Sequence, residues 1–200
     1  MRLIAIDDVD YFRSDAKYTL VAWRDEGRPA EAEPYLQRLA DGAGNTAGVL
    51  TLAEYYLMSG RARDAIDRLE PLYKEASARS VGELLARAYM AAGDRTRANE
   101  TVDKVLASSP SNPIALTLKG QLLVDEGRSD DAFAAVRKAV AANPESVEAQ
   151  FALGRLYAGR GDGAAAEAAF REVLRLNPRA AIAQTEMARL QLTRGRAEES

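Results

Sequence analysis

The chain has 200 residues, carries 27 Lys and Arg against 30 Asp and Glu for a formal charge of -3, and contains neither cysteine nor histidine. Without cysteine there are no disulfides, thiolate nucleophiles or cysteine metal sites; without histidine there is no Ser-His-Asp triad or Cys-His pair, and zinc would rest on carboxylates alone. A charge this close to neutral gives no strong pull toward nucleic acid or an anionic membrane, and no apolar run approaches the ~20 residues that span a bilayer.

Met1 is followed by no signal-peptide core, so the expected location is the cytoplasm. Arginine outnumbering lysine, with abundant alanine, points to a GC-rich bacterial genome. Residues 1–28 read differently from the rest. Two β-rich runs, Leu3 to Ile6 and Tyr18 to Trp23, flank the polar link Arg13-Ser14-Asp15-Ala16-Lys17, the pattern of a hairpin. Asp7, Asp8, Val9, Tyr11, Phe12, Asp15, Lys17, Tyr18 and Thr19 resemble the opening strands of a LytTR-type DNA-binding domain. The remaining strands and helix of that longer domain are missing, so its activity is not carried over. A competing reading makes residues 13–45 a degenerate first repeat: Ala16, Leu20 and Trp23 share a helical face, and Gly27, Ala32, Leu36 and Leu39 sit in register.

From Pro29 onward helix is expected. Pro29 suits a first turn, Ala30 to Ala40 shows the 3.6-residue stripe, and residues 41–45 are a loop by composition. Helix pairs follow at 46–59 with 62–76, 79–92 with 95–108, 113–126 with 129–142, and 147–160 with 163–176. Asn112 before Pro113 reads as an N-cap, and Ser129 before Asp130-Asp131 marks a start whose charges suit a helix N-terminus. A last helix over about 180–194 carries Gln191 where an aromatic is expected, and reads as a solvent-facing cap. Gly195 announces a second helix that does not develop, leaving open whether a longer protein continues.

The order of these pairs is periodic. Turn glycines recur at Gly27, Gly60, Gly93, Gly127, Gly161 and Gly195, each of the first five followed five places later by Ala32, Ala65, Ala98, Ala132 or Ala166; the spacing is 33 or 34 residues. Three units close with Pro110, Pro144 and Pro178, and an aromatic recurs as Trp23, Tyr56, Tyr89 and Tyr157, with Leu123 standing in once. Within 147–180, Leu153, Gly154, Tyr157, Ala166, Phe170, Val173 and Pro178 hold the key places; Leu85, Ala86, Tyr89, Ala98, Val102, Val105 and Pro110 hold them earlier, and Leu52, Ala53, Tyr56, Ala65, Leu69 and Leu72 earlier still.

This pattern resembles the tetratricopeptide repeat. The resemblance implies an all-α fold, a right-handed α-solenoid of stacked antiparallel helix pairs, with a short N-terminal β-hairpin as one reading of residues 1–28. Residues 29–200 would form the array, with repeats 13–45 (degenerate), 46–78, 79–112, 113–146 and 147–180 and a capping helix at 181–195. The small residue at the eighth place and the alanine at the twentieth then stand where the two helices cross. On this reading Tyr157→Ala costs on the order of 3–5 kcal/mol as a buried aromatic truncation.

No residue is assigned a catalytic, cofactor or metal role, and no enzyme is expected. The acid pairs Asp7-Asp8, Asp130-Asp131 and Glu198-Glu199 read as solvated charge. Gly159 to Gly163 lacks the preceding strand and following lysine of a nucleotide loop, and Arg160-Gly161-Asp162, a cell-adhesion tripeptide by spelling, falls where the repeat needs its turn. What the resemblance does imply is a concave groove lined by the first helix of each pair at places two, five, nine, twelve and thirteen. Counted onto this sequence, those places include Leu50, Glu54, Leu57 and Met58; Arg87 and Met90; Ile114, Gln121 and Val124; Phe151 and Arg155; and Arg189. The candidate partner-binding set is Leu50, Glu54, Leu57, Arg87, Met90, Gln121, Val124, Phe151, Arg155 and Arg189. Two readings stay open: Arg87, Arg155 and Arg189 fork onto carboxylates of a peptide whose apolar side chains rest on Leu57, Met90 and Phe151, or they are solvated or paired with neighbouring glutamates. Lys119, replacing the leucine of the seventh place, either snorkels or contacts a ligand. The clamp for chaperone C-termini is disfavoured, because Lys17 is followed by Val21, Thr51, Ser80 and Leu84 where it needs Asn, Lys and Arg. The expected function is a scaffold for a protein or peptide partner of unknown identity, without membrane insertion and with nucleic acid disfavoured. The alternatives are a transcription regulator with a LytTR-like remnant and a self-associating array.

Overall fold

The computed structural model describes residues 32–42, 45–76 and 79–198; the hairpin and helix readings of residues 1–28, with Trp23, Gly27 and the Pro29 start, lie outside the described residues. Among the described residues there are ten α-helices and no strand. They are α1 (Glu33–Asp41), α2 (Thr46–Met58), α3 (Ala62–Ala76), α4 (Arg79–Ala91), α5 (Arg95–Ser108), α6 (Pro113–Asp125), α7 (Ser129–Ala142), α8 (Val147–Gly159), α9 (Gly163–Leu176) and α10 (Ala181–Glu198). The chain divides into two compact units, Met1–Asp94 with α1 to α4 and Arg95–Ser200 with α5 to α10.

The turn glycines act through their backbone. Gly60, Gly93, Gly127 and Gly161 have φ of 73°, 79°, 75° and 77°, values at which a side chain is strained. After each, the next N–H donates back to the carbonyl of the eleventh-place residue: Arg61 to Tyr56 at 2.8 Å, Asp94 to Tyr89 at 2.9 Å, Arg128 to Leu123 at 2.9 Å, and Asp162 to Tyr157 at 3.0 Å. That bond closes the first helix and turns the chain into the second. Gly195 departs from the rule, since it lies inside α10, which runs on to Glu198. A glycine within a helix costs only about 0.5–1 kcal/mol, a cost a helix of 18 residues can carry.

Asn112 caps α6 as the sequence suggests, and three other starts are capped in the same way. The side chains of Asn45, Asn112, Ser146 and Asp162 accept from the backbone N–H groups of Gly48, Ala115, Ala149 and Ala165 at 3.0, 2.8, 3.2 and 3.0 Å. Ser129 is the first residue of α7, where the sequence starts the helix; Arg128 before it holds the cap position without a side-chain bond there and pairs with Asp131 at 2.7 Å.

In the first unit α2 packs on α1 and α3, α3 packs on α4, and α2 lies against α4. Leu52, Ala53, Ala65, Leu69 and Val81 are fully buried there. The eleventh-place tyrosines reach the preceding second helix: the Gln37 amide donates to the Tyr56 hydroxyl at 3.3 Å, and Tyr89 Oη donates to Glu70 at 2.6 Å. In the second unit α5 packs on α6, each later helix packs on the next, and α6 lies against α8. Gly120 receives the Val136 side chain and Gly154 the Phe170 ring, so the small eighth-place residue does mark the helix crossing.

Tyr157 differs from expectation. It is half-buried, with its ring edge-on to the half-buried ring of Phe133 at 5.0 Å. Tyr89 is 5% exposed. Tyr89→Ala is therefore expected to cost about 3–5 kcal/mol and Tyr157→Ala only about 1–2 kcal/mol in urea denaturation, and equal losses would contradict this packing.

Candidate functional site

First-helix side chains at the counted places occur in both units. In the first, Glu54 and Arg87 are exposed, on α2 and α4, while Leu50, Leu57 and Met90 are half-buried beside them. In the second, Gln121 and Val124 on α6, Arg155 on α8 and Arg189 on α10 are exposed. Phe151 is shared with the core: half-buried, it leans its ring on Phe170 at 5.6 Å.

Exposure of large apolar groups follows the same helices. Among the described residues those exposed are Met58, Ile114, Val124, Ile182 and Leu192, and all five stand on α2, α6 and α10, first helices of their pairs. Ile182 and Leu192 hold the second and twelfth places of α10. They are missing from the sequence-based set, although the counting that yields Arg189 yields them too.

Second helices and turns hold ion pairs such as Arg61 with Glu33 and Asp64, Arg68 with Asp41, and Arg175 with Glu172. The Arg175 guanidinium, bound to both oxygens of Glu172, holds that carboxyl below its ordinary range. Arg87 and Arg155 enter no ion pair among the described residues, and Arg189 has Glu186 at 3.4 Å. Lys119 is not free for a ligand: its ammonium donates to Asp103 and to Asn99, each at 2.7 Å, tying α6 to α5. The Arg160-Gly161-Asp162 tripeptide is also used internally. Gly161 makes the turn, Asp162 caps α9, and Arg160 pairs with Asp130 and stacks 4.1 Å over Phe133.

A cavity of about 680 Å³ opens between the end of α8, the start of α9 and α10, lined by Ala158, Gly163, Glu167, Met187, Arg189 and Leu190 among others. One interface earlier, between α7 and α8, the matching places hold the Phe133 and Tyr157 rings. Here they hold Glu167 and Gln191, so the space of a ring pair stays open. Among the described residues no group of three or more potential metal ligands forms, and no helix is long and apolar enough to cross a membrane.

No curated protein matches the sequence. The tetratricopeptide repeat family matches residues 83–147, 117–175 and 151–200. Among solved structures, a thermophilic TPR protein of Thermus thermophilus is similar at a TM-score of 0.75 and 20% identity, over 90% of this chain and 98% of that one. A tetratricopeptide repeat protein from Parabacteroides merdae gives 0.60 and 20%, over 91% and 73%. The APC/C hetero-tetramer Cut9–Hcn1 gives 0.74 and 18%, over 94% of this chain and 38% of that one.

Proposed function

Because the chain belongs to the tetratricopeptide repeat family, an all-α solenoid class, we propose that it is a non-catalytic scaffold that holds a segment of a partner protein along its first helices. The observation that carries this reading is the placement of Met58, Ile114, Val124, Ile182 and Leu192 on first helices alone. Apolar groups left in water gain about 25 cal/mol for each Å² that a partner covers, which favours burial of these side chains against a partner. Arg87 in the first unit, and Arg155 and Arg189 in the second, add fork-shaped donors, so on each unit the segment favoured is acidic between apolar side chains. In the first unit Leu50, Leu57 and Met90 would supply the apolar floor beside Glu54; in the second, Phe151 would do so beside Gln121.

The experiment is affinity capture on the immobilised chain. Arg87→Glu/Arg155→Glu/Arg189→Glu is compared with Arg63→Glu/Lys104→Glu/Lys138→Glu, a set of equal charge change on exposed positions of second helices. The first set should lose the wild-type partners at least tenfold and the second should keep them. Equal retention by both would contradict the assignment of the surface.

A further inference from the structure

We propose that residues 3–12, Leu-Ile-Ala-Ile-Asp-Asp-Val-Asp-Tyr-Phe, are themselves a ligand for the first-helix face of α6, α8 and α10, presented by a second copy of the chain. The inference rests on the reading of that face as a groove for acidic, apolar-flanked segments. Residues 3–12 lie outside the described residues and enter through their composition alone.

The face has a definite order of chemistry. Arg155 carries no ion pair among the described residues, and the Arg189 side chain is 72% exposed with one partner at 3.4 Å. On α10 exposed Ile182 and Leu192 hold the second and twelfth places, before and after Arg189, and on α6 exposed Ile114 and Val124 hold the same two places around Gln121. Beside Arg189 lies the cavity of about 680 Å³, at places that hold two aromatic rings one interface earlier. The segment has the complementary order: Leu3, Ile4 and Ile6, then the carboxylates of Asp7, Asp8 and Asp10, then the rings of Tyr11 and Phe12. Carboxylates take the fork of a guanidinium, and a ring fills the space that Glu167 and Gln191 leave. Plug and socket are different parts of the sequence, residues 3–12 and the helices from Pro113 onward. Between copies such a contact is heterologous, and it joins chains head to tail instead of closing a two-fold dimer.

Sedimentation velocity on the full chain from about 1 to about 200 µM tests this. The wild type should gain mass with concentration and lose it with added salt, because the contact is built on charge. Asp7→Lys/Asp8→Lys/Asp10→Lys and Arg155→Glu/Arg189→Glu should each be monomeric alone and associate when mixed, since each plug then meets a socket of opposite sign. A fluorescent peptide of residues 1–14 should bind the full chain saturably, and at least tenfold more weakly after Arg155→Glu/Arg189→Glu. A wild type monomeric at every concentration would overturn the proposal, as would assembly indifferent to both charge sets. Monomeric wild type with peptide binding that appears only when Asp7, Asp8 and Asp10 are reversed would place the segment on its own chain, and would also overturn it. If the chain stays monomeric yet retains foreign partners through Arg155 and Arg189, this inference fails while the scaffold reading stands.

Discussion

Truncating Phe170 to alanine is expected to remove about 3–5 kcal/mol of stability, read as a lower urea midpoint by circular dichroism. Phe170 is 0% exposed, heads the fully buried side chains by volume, and joins both helices of its pair. Its ring rests against Phe151 on one side and over the bare backbone of Gly154 on the other, where an added Cβ would meet Cε1, Cδ1 and Cζ at 2.6, 2.8 and 3.0 Å. Those contacts couple the two positions. Gly154→Ala alone should cost about 1–3 kcal/mol by overpacking, and clearly less in the Phe170→Ala background, where the methyl enters vacated space. Strict additivity of the two changes would mean that the ring does not sit on this glycine.

Gly48→Val should cost about 3 kcal/mol, at the upper end for overpacking, because what the new side chain meets cannot rotate away. A Cβ on Gly48 would stand 2.5 Å from the Leu39 carbonyl oxygen, 2.8 Å from its carbon and 3.0 Å from the Ala40 nitrogen, all backbone of α1. The same carbonyl accepts from the Asn45 amide at 2.9 Å, and Asn45 caps α2 by accepting from Gly48 N–H at 3.0 Å. Pushing α1 away thus costs the helix crossing and the cap together. Amides 33–41 should exchange faster with deuterium in this variant, and unchanged exchange with an unchanged melting curve would contradict the close approach.

The helices were legible because their signals are local. Apolar spacing within each helix, a glycine at each turn and Asn112 before Pro113 all act over a few residues, and the helix pairs from Thr46 to Leu176 follow them closely. What required coordinates was set by residues far apart in sequence. Lys119 is fixed by Asp103 and Asn99, 16 and 20 positions away, and nothing within its own helix reveals that. The half-burial of Tyr157 depends on Phe133 in the preceding pair, and the cavity beside α10 depends on Glu167 and Gln191 standing where two rings stand one interface before. Gly195 misled because its spacing matches the turn glycines, whereas it lies within α10. Place counting picks out Arg87, Arg155 and Arg189 as candidates, but which arginines are engaged in ion pairs is a property of three-dimensional neighbours.

Recognition by the exposed wall of first helices is tested most directly by the footprint of a captured partner in hydrogen–deuterium exchange. Binding should slow exchange in peptides covering α6, α8 and α10 and leave α7 and α9 unchanged. Protection confined to α7 and α9, with the first helices exchanging as in the free chain, would contradict it.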